Sequence, residues 1–229
     1  MLTNGHPKKN YPRHWMKYAH EELRHAIRSY RERKFANSIF RRNSNLIEGL
    51  RRSDLPLKLE LGSGPRGGEN GWTTVDMGDG PDLSIDLRTS LPFAENEIAE
   101  IYSSHFLEHF DYRDLIKLLE ECYRVLQPDG VFRAAVPNAR IYINGYLNEN
   151  EFDIEFYCRY EPAFQNNSKI DVLNYIAYMD GHHRHMFDEE NIIDILELVG
   201  FRDVALRKFD PDLDLKERDY ESIYVGGIK

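Results

Sequence analysis

Cysteine is scarce in this chain, and long apolar runs are missing. The 229 residues include two cysteines, Cys122 and Cys158, which form no Cys-x-x-Cys pair. A disulfide framework and a structural zinc site are therefore not expected, and a reducing compartment is. No stretch approaches the roughly 18 consecutive apolar residues that span a bilayer. The first residues are polar and basic, without the pattern of a secretory signal. These absences predict a soluble, cytoplasmic protein.

Apolar content is sufficient for one sizeable core. With 41% apolar residues in a chain of this length, one α/β domain plus an appendage is the expected organisation. Charge separates the two parts. Residues 1–53 contain 13 Lys or Arg and 4 Glu, a net charge of +9, whereas residues 54–229 carry a net charge of −18.

The basic part is predicted to be helical. Apolar residues recur at helical spacing between Pro12 and Leu50, which indicates one or two amphipathic helices interrupted near Asn43. We expect residues 1–53 to form a basic helical cap on a domain of residues 54–229. A lid, a docked stabiliser and an arm that binds an anionic substrate or a membrane surface are the alternatives for it. Nucleic acid is disfavoured as a partner, because the acidic remainder repels phosphates.

The most informative feature is a pair of short apolar segments, each of which leads into residues of a type that often binds ligands. The first, residues 57–61, runs into Gly62 and Gly64, and the second, residues 72–75, ends on Asp76. Glycines without a Cβ let the backbone approach a ligand closely. An acidic residue at the end of the next strand can accept hydrogen bonds from both ribose hydroxyls. The order predicts a nucleoside site.

The residues around the glycines select the kind of nucleoside. No Gly-Lys-Ser or Gly-Lys-Thr follows, which excludes a P-loop. Gly67 has the spacing of a third dinucleotide-binding glycine, but Pro65 and its neighbours predict an irregular loop instead of a helix. Glu60 places a carboxylate near the ligand, which suits a cationic amino group better than a pyrophosphate. The predicted ligand is a nucleoside that bears positive charge.

From about Leu57 to the C-terminus, five motifs in order resemble the class I S-adenosylmethionine-dependent methyltransferases, in particular the bacterial type-11 enzymes. The motifs are Glu60-Leu-Gly-Ser-Gly64, Asp76, Ser84-Ile-Asp-Leu87 with Leu91-Pro-Phe93, Ile101-Tyr-Ser-Ser-His-Phe-Leu-Glu-His109 and Arg124-Val-Leu-Gln-Pro-Asp-Gly130. The resemblance implies an α/β fold, a Rossmann-like seven-stranded sheet with helices on both faces. It also implies S-adenosyl-L-methionine as cofactor and S-adenosyl-L-homocysteine as product.

The resemblance also implies how the cofactor is held. The first motif would wrap the methionine end, Asp76 would bind the ribose, and Asp86 would read the adenine amino group. The cofactor-binding residues implied in this way are Glu60, Gly62, Ser63, Gly64, Asp76, Met77, Asp86, Leu87 and Ser104.

Alternating strands and helices are predicted along the domain. Strands are expected near residues 57–61, 72–76, 98–103 and 131–136, with a helix from about Tyr112 to Val125. Asp188 is a good N-cap for a further helix, and Gly200 ends it. As in the family, two final strands near 202–209 and 221–228 would form an antiparallel edge.

Residues 138–186 are predicted to be an insertion over the carboxyl ends of the strands, where ligands bind in open α/β sheets. The segment is rich in aromatic residues, which could form a small core of their own or a platform for a ring or sugar substrate. These residues are Tyr142, Tyr146, Phe152, Phe156, Tyr157, Tyr160, Phe164, Tyr175 and Tyr178.

Histidines supply the candidate catalytic groups. His105, Glu108 and His109 have the i, i+3, i+4 spacing that places side chains on one helix face. His182, His183 and His185 are expected to return to the same rim. A neutral histidine near pH 7 suits removal of a proton from a hydroxyl acceptor. We predict His105, His109 and His183 as catalytic residues, with local packing of His109 as the alternative.

A metal site is the competing interpretation of the same residues. The triplet resembles the Glu-x-x-Glu-His motif of plant small-RNA 2′-O-methyltransferases and quinone-pathway O-methyltransferases, which holds a divalent ion. Here His105 replaces the first glutamate, which favours transition metals, and His183 or His185 would complete the ligand set with Glu108 and His109. A hard cation would be poorly neutralised without a second carboxylate. The sequence therefore favours a metal-free histidine base.

The expected activity is methyl transfer from S-adenosylmethionine to oxygen on a small polar acceptor, such as a sugar or glycan precursor. The alternatives are N-methylation of a small molecule and a non-catalytic partner subunit that retains the cofactor pocket. The assignment to sugars rests on the association of type-11 relatives with surface polysaccharides, not on chemistry.

Overall fold

The chain divides into two compact units, Met1–Glu48 and Gly49–Lys229. The computed structural model describes Arg24, Arg28, Tyr30 and Lys34 and residues 37–148, 152–160 and 168–229. Helix α1 (residues 37–51) is continuous through Asn43. The predicted interruption there is wrong, because asparagine lowers helix propensity only modestly and no proline accompanies it. Most of the predicted helix before residue 37 lies outside the described residues.

A seven-stranded sheet forms the centre of the second unit. Its strands lie in the order β3-β2-β1-β4-β5-β7-β6. Neighbours among β1 to β5 are parallel, and β7 is antiparallel to both β5 and β6. The strands are β1 (Lys58–Leu61), β2 (Trp72–Asp76), β3 (Leu83–Ser84), β4 (Ile98–Ser104), β5 (Leu126–Pro137), β6 (Arg202–Leu206) and β7 (Ser222–Ile228).

The predicted strands and antiparallel edge are present, with two changed boundaries. β5 already begins at Leu126, which pairs with Ile98 on β4. β6 ends at Leu206 instead of residue 209, and the guanidinium of the next residue, Arg207, binds the buried carboxylate of Asp214 at 2.6 Å.

Five further helices follow the sheet strands. They are α2 (Tyr112–Val125), α3 (Ala139–Leu147), α4 (Ile154–Tyr157), α5 (Ile170–Tyr178) and α6 (Glu189–Val199). The side chain of Asp188 caps α6 by accepting a hydrogen bond from the backbone N–H of Asn191, and Gly200 ends the helix with a φ of 116°. The left-handed conformation at Gly200 costs little because glycine has no Cβ. Within the described residues, no helix is both long and apolar enough to cross a membrane.

The insertion contains a small hydrophobic core. Its buried residues include Tyr142, Val172, Tyr175 and Ile176, and Phe152 and Tyr157 pack against them. Four of the nine aromatic residues singled out in the sequence therefore belong to a small core of the insertion itself, which is the first of the two predicted roles. Four others are 38–62% exposed, and Phe164 lies outside the described residues. The exposed four are Tyr146, Phe156, Tyr160 and Tyr178.

Candidate functional site

The carboxyl ends of β2, β3 and β4 surround a cavity that collects four of the predicted cofactor-binding residues. These are Asp76, Met77, Asp86 and Leu87. The wall opposite them is formed by the segment after β4, which contributes Phe106 and His109. The cavity lies where open α/β sheets bind their ligands, and it brings the predicted nucleoside residues next to a predicted catalytic histidine.

Asp76 is oriented by two backbone N–H groups. Its Oδ2 accepts a hydrogen bond from Gly64 at 2.7 Å, and its Oδ1 accepts one from Met77 at 2.6 Å. Each carboxylate oxygen has a second lone pair. The carboxylate is thus fixed in place while it keeps acceptor capacity for two ribose hydroxyls.

Asp86 is held by a neighbouring arginine. Arg88 donates from Nε to Oδ1 at 2.9 Å and from Nη2 to Oδ2 at 2.8 Å. The guanidinium lowers the pKa of the Asp86 carboxyl, so this group remains an anionic acceptor. An adenine amino group, which donates N–H bonds, is a suitable partner for it.

The two glycines of the turn after β1 have different surroundings. Both have left-handed backbones, with φ of 75° at Gly62 and 65° at Gly64. A Cβ on Gly62 would lie 2.1 Å from Cγ of Phe106, whereas one on Gly64 would meet nothing within 4 Å. Open space beside the backbone, as the sequence analysis expects for both glycines, is present at Gly64, and the binding of a ligand there stays a prediction. At Gly62 the space is taken by Phe106, a residue that the sequence analysis did not single out.

Glu60 faces a different cavity. Its Oε1 accepts a hydrogen bond from Nη2 of Arg66 at 2.5 Å, and it lines a space together with Trp72 and Tyr102. Glu60 therefore lines a different space from Asp76, since side chains alternate along β1, and its predicted contact with the cofactor stays a prediction. Of the two remaining predicted residues, Ser63 is nearly buried in the glycine turn, and Ser104 ends β4 beside Ala135.

A short 3₁₀ helix, Leu107–His109, follows β4 and fixes the histidine side of the site. The carbonyl of Glu108 accepts hydrogen bonds from the backbone N–H groups of Arg184 at 2.8 Å and His185 at 3.2 Å. These bonds join the His182–His185 segment to the end of β4. The predicted return of these histidines to one rim is thereby observed, although His185 itself turns to Asn191.

His105 does not share a face with Glu108 and His109. Its φ of 47° is left-handed, so the helical turn begins only after it and the α-helical i, i+3, i+4 geometry does not apply. Its Nε2 lies 2.7 Å from Oγ of Ser222, and its side chain is 8% exposed. Burial lowers the pKa of His105 to about 3, and the nearby charge of Arg218 acts in the same direction.

Glu108, His109 and His183 come together instead. One potential ligand atom from each lies within 4.8 Å of the other two. Glu108 is 2% exposed, and burial raises the pKa of its carboxyl to about 8. Burial also lowers the pKa of His183. The cluster therefore contains a neutral imidazole next to a carboxyl group that is costly to ionise.

The sheet defines the class of the protein. An order of 3-2-1-4-5-7-6 with an antiparallel β7, and a ribose-type acid at the end of β2, are the features of the class I methyltransferase fold. The family described as a methyltransferase domain matches residues 81–134, which extend from β3 into β5 and include Asp86 and the 3₁₀ turn. The strand order and this match agree with the resemblance to class I S-adenosylmethionine-dependent methyltransferases inferred from the sequence, and the fold is that of the class.

Solved structures with a similar fold are distant in sequence. An S-adenosylmethionine-dependent methyltransferase from Archaeoglobus fulgidus is 17% identical with a TM-score of 0.48, covering 86% of this chain and 97% of that one. The Haloferax volcanii complex of the Trm112 activator with a methyltransferase is 15% identical with a TM-score of 0.44, covering 84% of this chain and 91% of that one. Phosphoethanolamine N-methyltransferase 2 from Haemonchus contortus is 14% identical with a TM-score of 0.46, covering 82% of this chain and 52% of that one. No protein of curated function matches the sequence.

Proposed function

We propose that the protein transfers the methyl group of S-adenosylmethionine to an oxygen atom of a small polar acceptor, such as a sugar or glycan precursor. The observation that carries this proposal is the place of His109. It lines the same cavity as Asp76 and Asp86, and its ring centroid lies 5.4 Å from that of His183. Groups able to handle an acceptor proton thus adjoin the nucleoside pocket.

The residues of the pocket fit the cofactor. Asp76 retains acceptor capacity for the ribose, Asp86 is an anionic acceptor for the adenine amino group, and Gly64 leaves open space beside them. When bound, S-adenosylmethionine supplies a methyl group from a sulfonium sulfur, which becomes a neutral thioether. The contribution of the chain is to hold the acceptor in line and to remove its proton.

The proton of a hydroxyl acceptor is handled on the histidine side. Nδ1 of His109 lies 2.9 Å from the carbonyl oxygen of His182, which can only accept, so this nitrogen carries the proton. Nε2 is then the nitrogen with a free lone pair. His105 is enclosed and bonded to Ser222, so the roles predicted for the three histidines are assigned here to His109 and His183, with His105 as a buried neighbour.

Exposed aromatic groups on and beside the insertion favour a ring-shaped acceptor. The guanidinium of Arg159 lies 4.4 Å from the ring centroid of Phe156 and 4.2 Å from that of Tyr220. Tyr160 is stacked in the same way by Arg218, at 4.5 Å. Aromatic and guanidinium planes of this kind provide flat surfaces and hydrogen-bond donors for a sugar ring.

Methyl transfer to a panel of acceptors tests the proposal. The purified full chain is incubated with methyl-labelled cofactor and with sugars, nucleotide sugars and amines, and the products are identified by mass spectrometry. An O-methyl ether on a sugar is the expected product. An N-methylated product would replace the proposed acceptor class, and cofactor binding without transfer to any acceptor would indicate a non-catalytic subunit.

A further inference from the structure

We propose that Glu108, His109 and His183 bind one divalent transition-metal ion, and that this ion activates the acceptor oxygen. The binding site stands on the geometry of the three side chains alone. Its catalytic role rests on the O-methyl transfer proposed above: with the ion bound, Nε2 of His109 is a ligand, and the ion activates the hydroxyl in place of the histidine base.

The three side chains converge at the distance that an ion requires. Their potential ligand atoms lie within 4.8 Å of one another. Ligands that bind a tetrahedral ion at about 2.0–2.2 Å are roughly 3.4 Å apart. Small changes of side-chain torsion therefore suffice to close the set around an ion. The bonds from the 184–185 backbone to the carbonyl of Glu108 join the two segments that carry the cluster, so the cluster is a feature of the fold.

Both histidines are held in the tautomer that binds metal through Nε2. Nδ1 of His109 lies 2.9 Å from the carbonyl oxygen of His182, and Nδ1 of His183 lies 2.8 Å from that of Ile176. A carbonyl oxygen has no proton to donate, so each Nδ1 must carry one. Ligating histidines characteristically donate their second N–H to a carbonyl or carboxylate in this way.

Glu108 supplies a carboxyl ligand with an oxygen that lacks a partner. Its side chain is 2% exposed, and its Oε2 has no hydrogen-bond partner among the described residues. The nearest imidazole of the preceding turn, Nδ1 of His105, is 3.8 Å from Oε1, which is beyond hydrogen-bond distance. An enclosed carboxylate without a donor is costly, and two imidazole lone pairs beside it offer no proton. A cation at the cluster would satisfy all three groups.

The donor set selects the kind of metal. Two imidazoles and one carboxylate favour ions such as Zn²⁺, Co²⁺ and Mn²⁺ over Ca²⁺ and Mg²⁺, which prefer oxygen ligands. Three protein ligands leave a coordination position open, as in catalytic zinc sites. His109 lines the cofactor cavity and so connects the cluster to it.

An open position next to the cofactor gives the ion a defined role. A coordinated hydroxyl has a lower pKa, so its proton leaves to solvent as the new carbon–oxygen bond forms and the carbon–sulfur bond of the cofactor breaks. The methyl group thereby passes to the acceptor oxygen, and the ion returns to its starting state.

Cobalt titration of the chelator-treated full chain tests the site. We expect one Co²⁺ per chain, detected by its visible absorption, which reports coordination by nitrogen and oxygen ligands. His109→Ala should weaken the binding at least tenfold, and Glu108→Gln should do the same. His182→Ala is the matched control, because this exposed histidine keeps its backbone carbonyl bond to His109 in the variant and is not one of the three proposed ligands. Its affinity for Co²⁺ should equal that of the unaltered protein.

Folding is checked by thermal unfolding of each variant with and without Zn²⁺. Zinc should raise the melting temperature of the unaltered protein and of His182→Ala but not that of His109→Ala. Because His109 is only partly buried, its variant carries the test even if a variant of the buried Glu108 fails to fold. Absence of cobalt binding, or equal binding by His109→Ala, would overturn the site.

Methyl transfer provides the second readout. Loss of transfer on chelation, restored by Zn²⁺ or Co²⁺, supports the catalytic role, whereas transfer that is insensitive to chelator overturns that role. Cobalt binding with no transfer to any acceptor supports the site and contradicts the proposed reaction, so the two proposals fail in different ways.

Discussion

The nucleoside side of the cavity, which carries Asp76 and Asp86, and its histidine side, which adjoins Glu108, His109 and His183, differ in the hydrogen-bond partners of their carboxyl groups. On the nucleoside side, Asp76 receives two backbone N–H bonds and Asp86 receives the fork of Arg88. On the histidine side, Glu108 is enclosed, and its Oε2 has no partner in the part of the chain that the structure describes. Both sides are built on strand ends of one sheet.

The difference teaches what each side is prepared to meet. A carboxylate that is already held by donors keeps its charge at low cost, and it can share its remaining lone pairs with neutral hydroxyl or amino groups. A buried carboxyl without donors needs a proton or a cation. On the nucleoside side the carboxylates already have donors from the protein, whereas on the histidine side Oε2 of Glu108 has none among the described residues.

The largest effect is expected at His109. Replacement by alanine removes the side chain that joins the cluster to the cavity, so kcat should fall by about 10²–10⁴. The affinity for S-adenosylhomocysteine, measured by calorimetry, should stay the same because Asp76 and Asp86 are untouched. A parallel loss of affinity would show that the two sides are not separate.

Substitutions of Gly62 and Gly64 test how tightly the turn after β1 packs against Phe106. In Gly62→Ala the new methyl group meets the ring of Phe106, and the left-handed backbone adds strain, so we expect a loss of about 2–5 kcal/mol in the free energy of unfolding. Gly64→Ala is the matched control, since it has the same backbone strain but open space, and should lose about 1–2 kcal/mol. Denaturant unfolding measures both. Equal losses would mean that Phe106 moves aside freely.

Asp76 should act on cofactor affinity alone. Asp76→Ala removes the ribose acceptor and the bond from Gly64, and should weaken binding by about 1–3 kcal/mol, roughly 5- to 150-fold in Kd. Asp79→Ala, an exposed carboxylate on the same loop, provides the control. Unchanged affinity in the Asp76 variant would remove this residue from its role.

The smallest effect is expected at Arg88. Its pair with Asp86 is largely exposed, with 56% and 40% of the two side chains accessible, and solvent screens such pairs strongly. Arg88→Ala should therefore change cofactor affinity less than about fivefold. Calorimetry at low and high salt checks this. A larger loss would show that Arg88 contacts the ligand itself.

Local patterns predicted most of the fold. The helix from Tyr112 to Val125 has the predicted bounds, and α6 begins after Asp188 and ends before Gly200, because caps and apolar periodicity are encoded in neighbouring residues. Asp76 and Asp86 line one cavity, as the order of the strands predicts, and their roles in binding the cofactor stay predictions. The lengths of β5 and β6 depended on pairing partners that are distant in sequence.

The histidine side was predicted less well, because its geometry is set by single backbone torsions and long-range bonds. A left-handed φ at His105 turns one expected group away. The bond from Arg184 N–H to the carbonyl of Glu108 brings His183 in from 74 residues further along the chain. Neither feature follows from spacing. The sequence argument against a metal considered a hard cation and a ligand set of His105, Glu108 and His109 completed by His183 or His185; in the structure His183 joins Glu108 and His109, and His105 lies outside the cluster.

The small core of the insertion has a consequence for how such proteins diverge. Tyr142, Tyr175 and their neighbours pack largely on each other, and the hydroxyl of Tyr142 reaches Glu221 at 2.7 Å, just before β7. A segment with a buried core of its own can change its exposed side chains without altering the residues that pack inside it. The choice of acceptor can thus be rewritten in evolution while the cofactor pocket stays as it is.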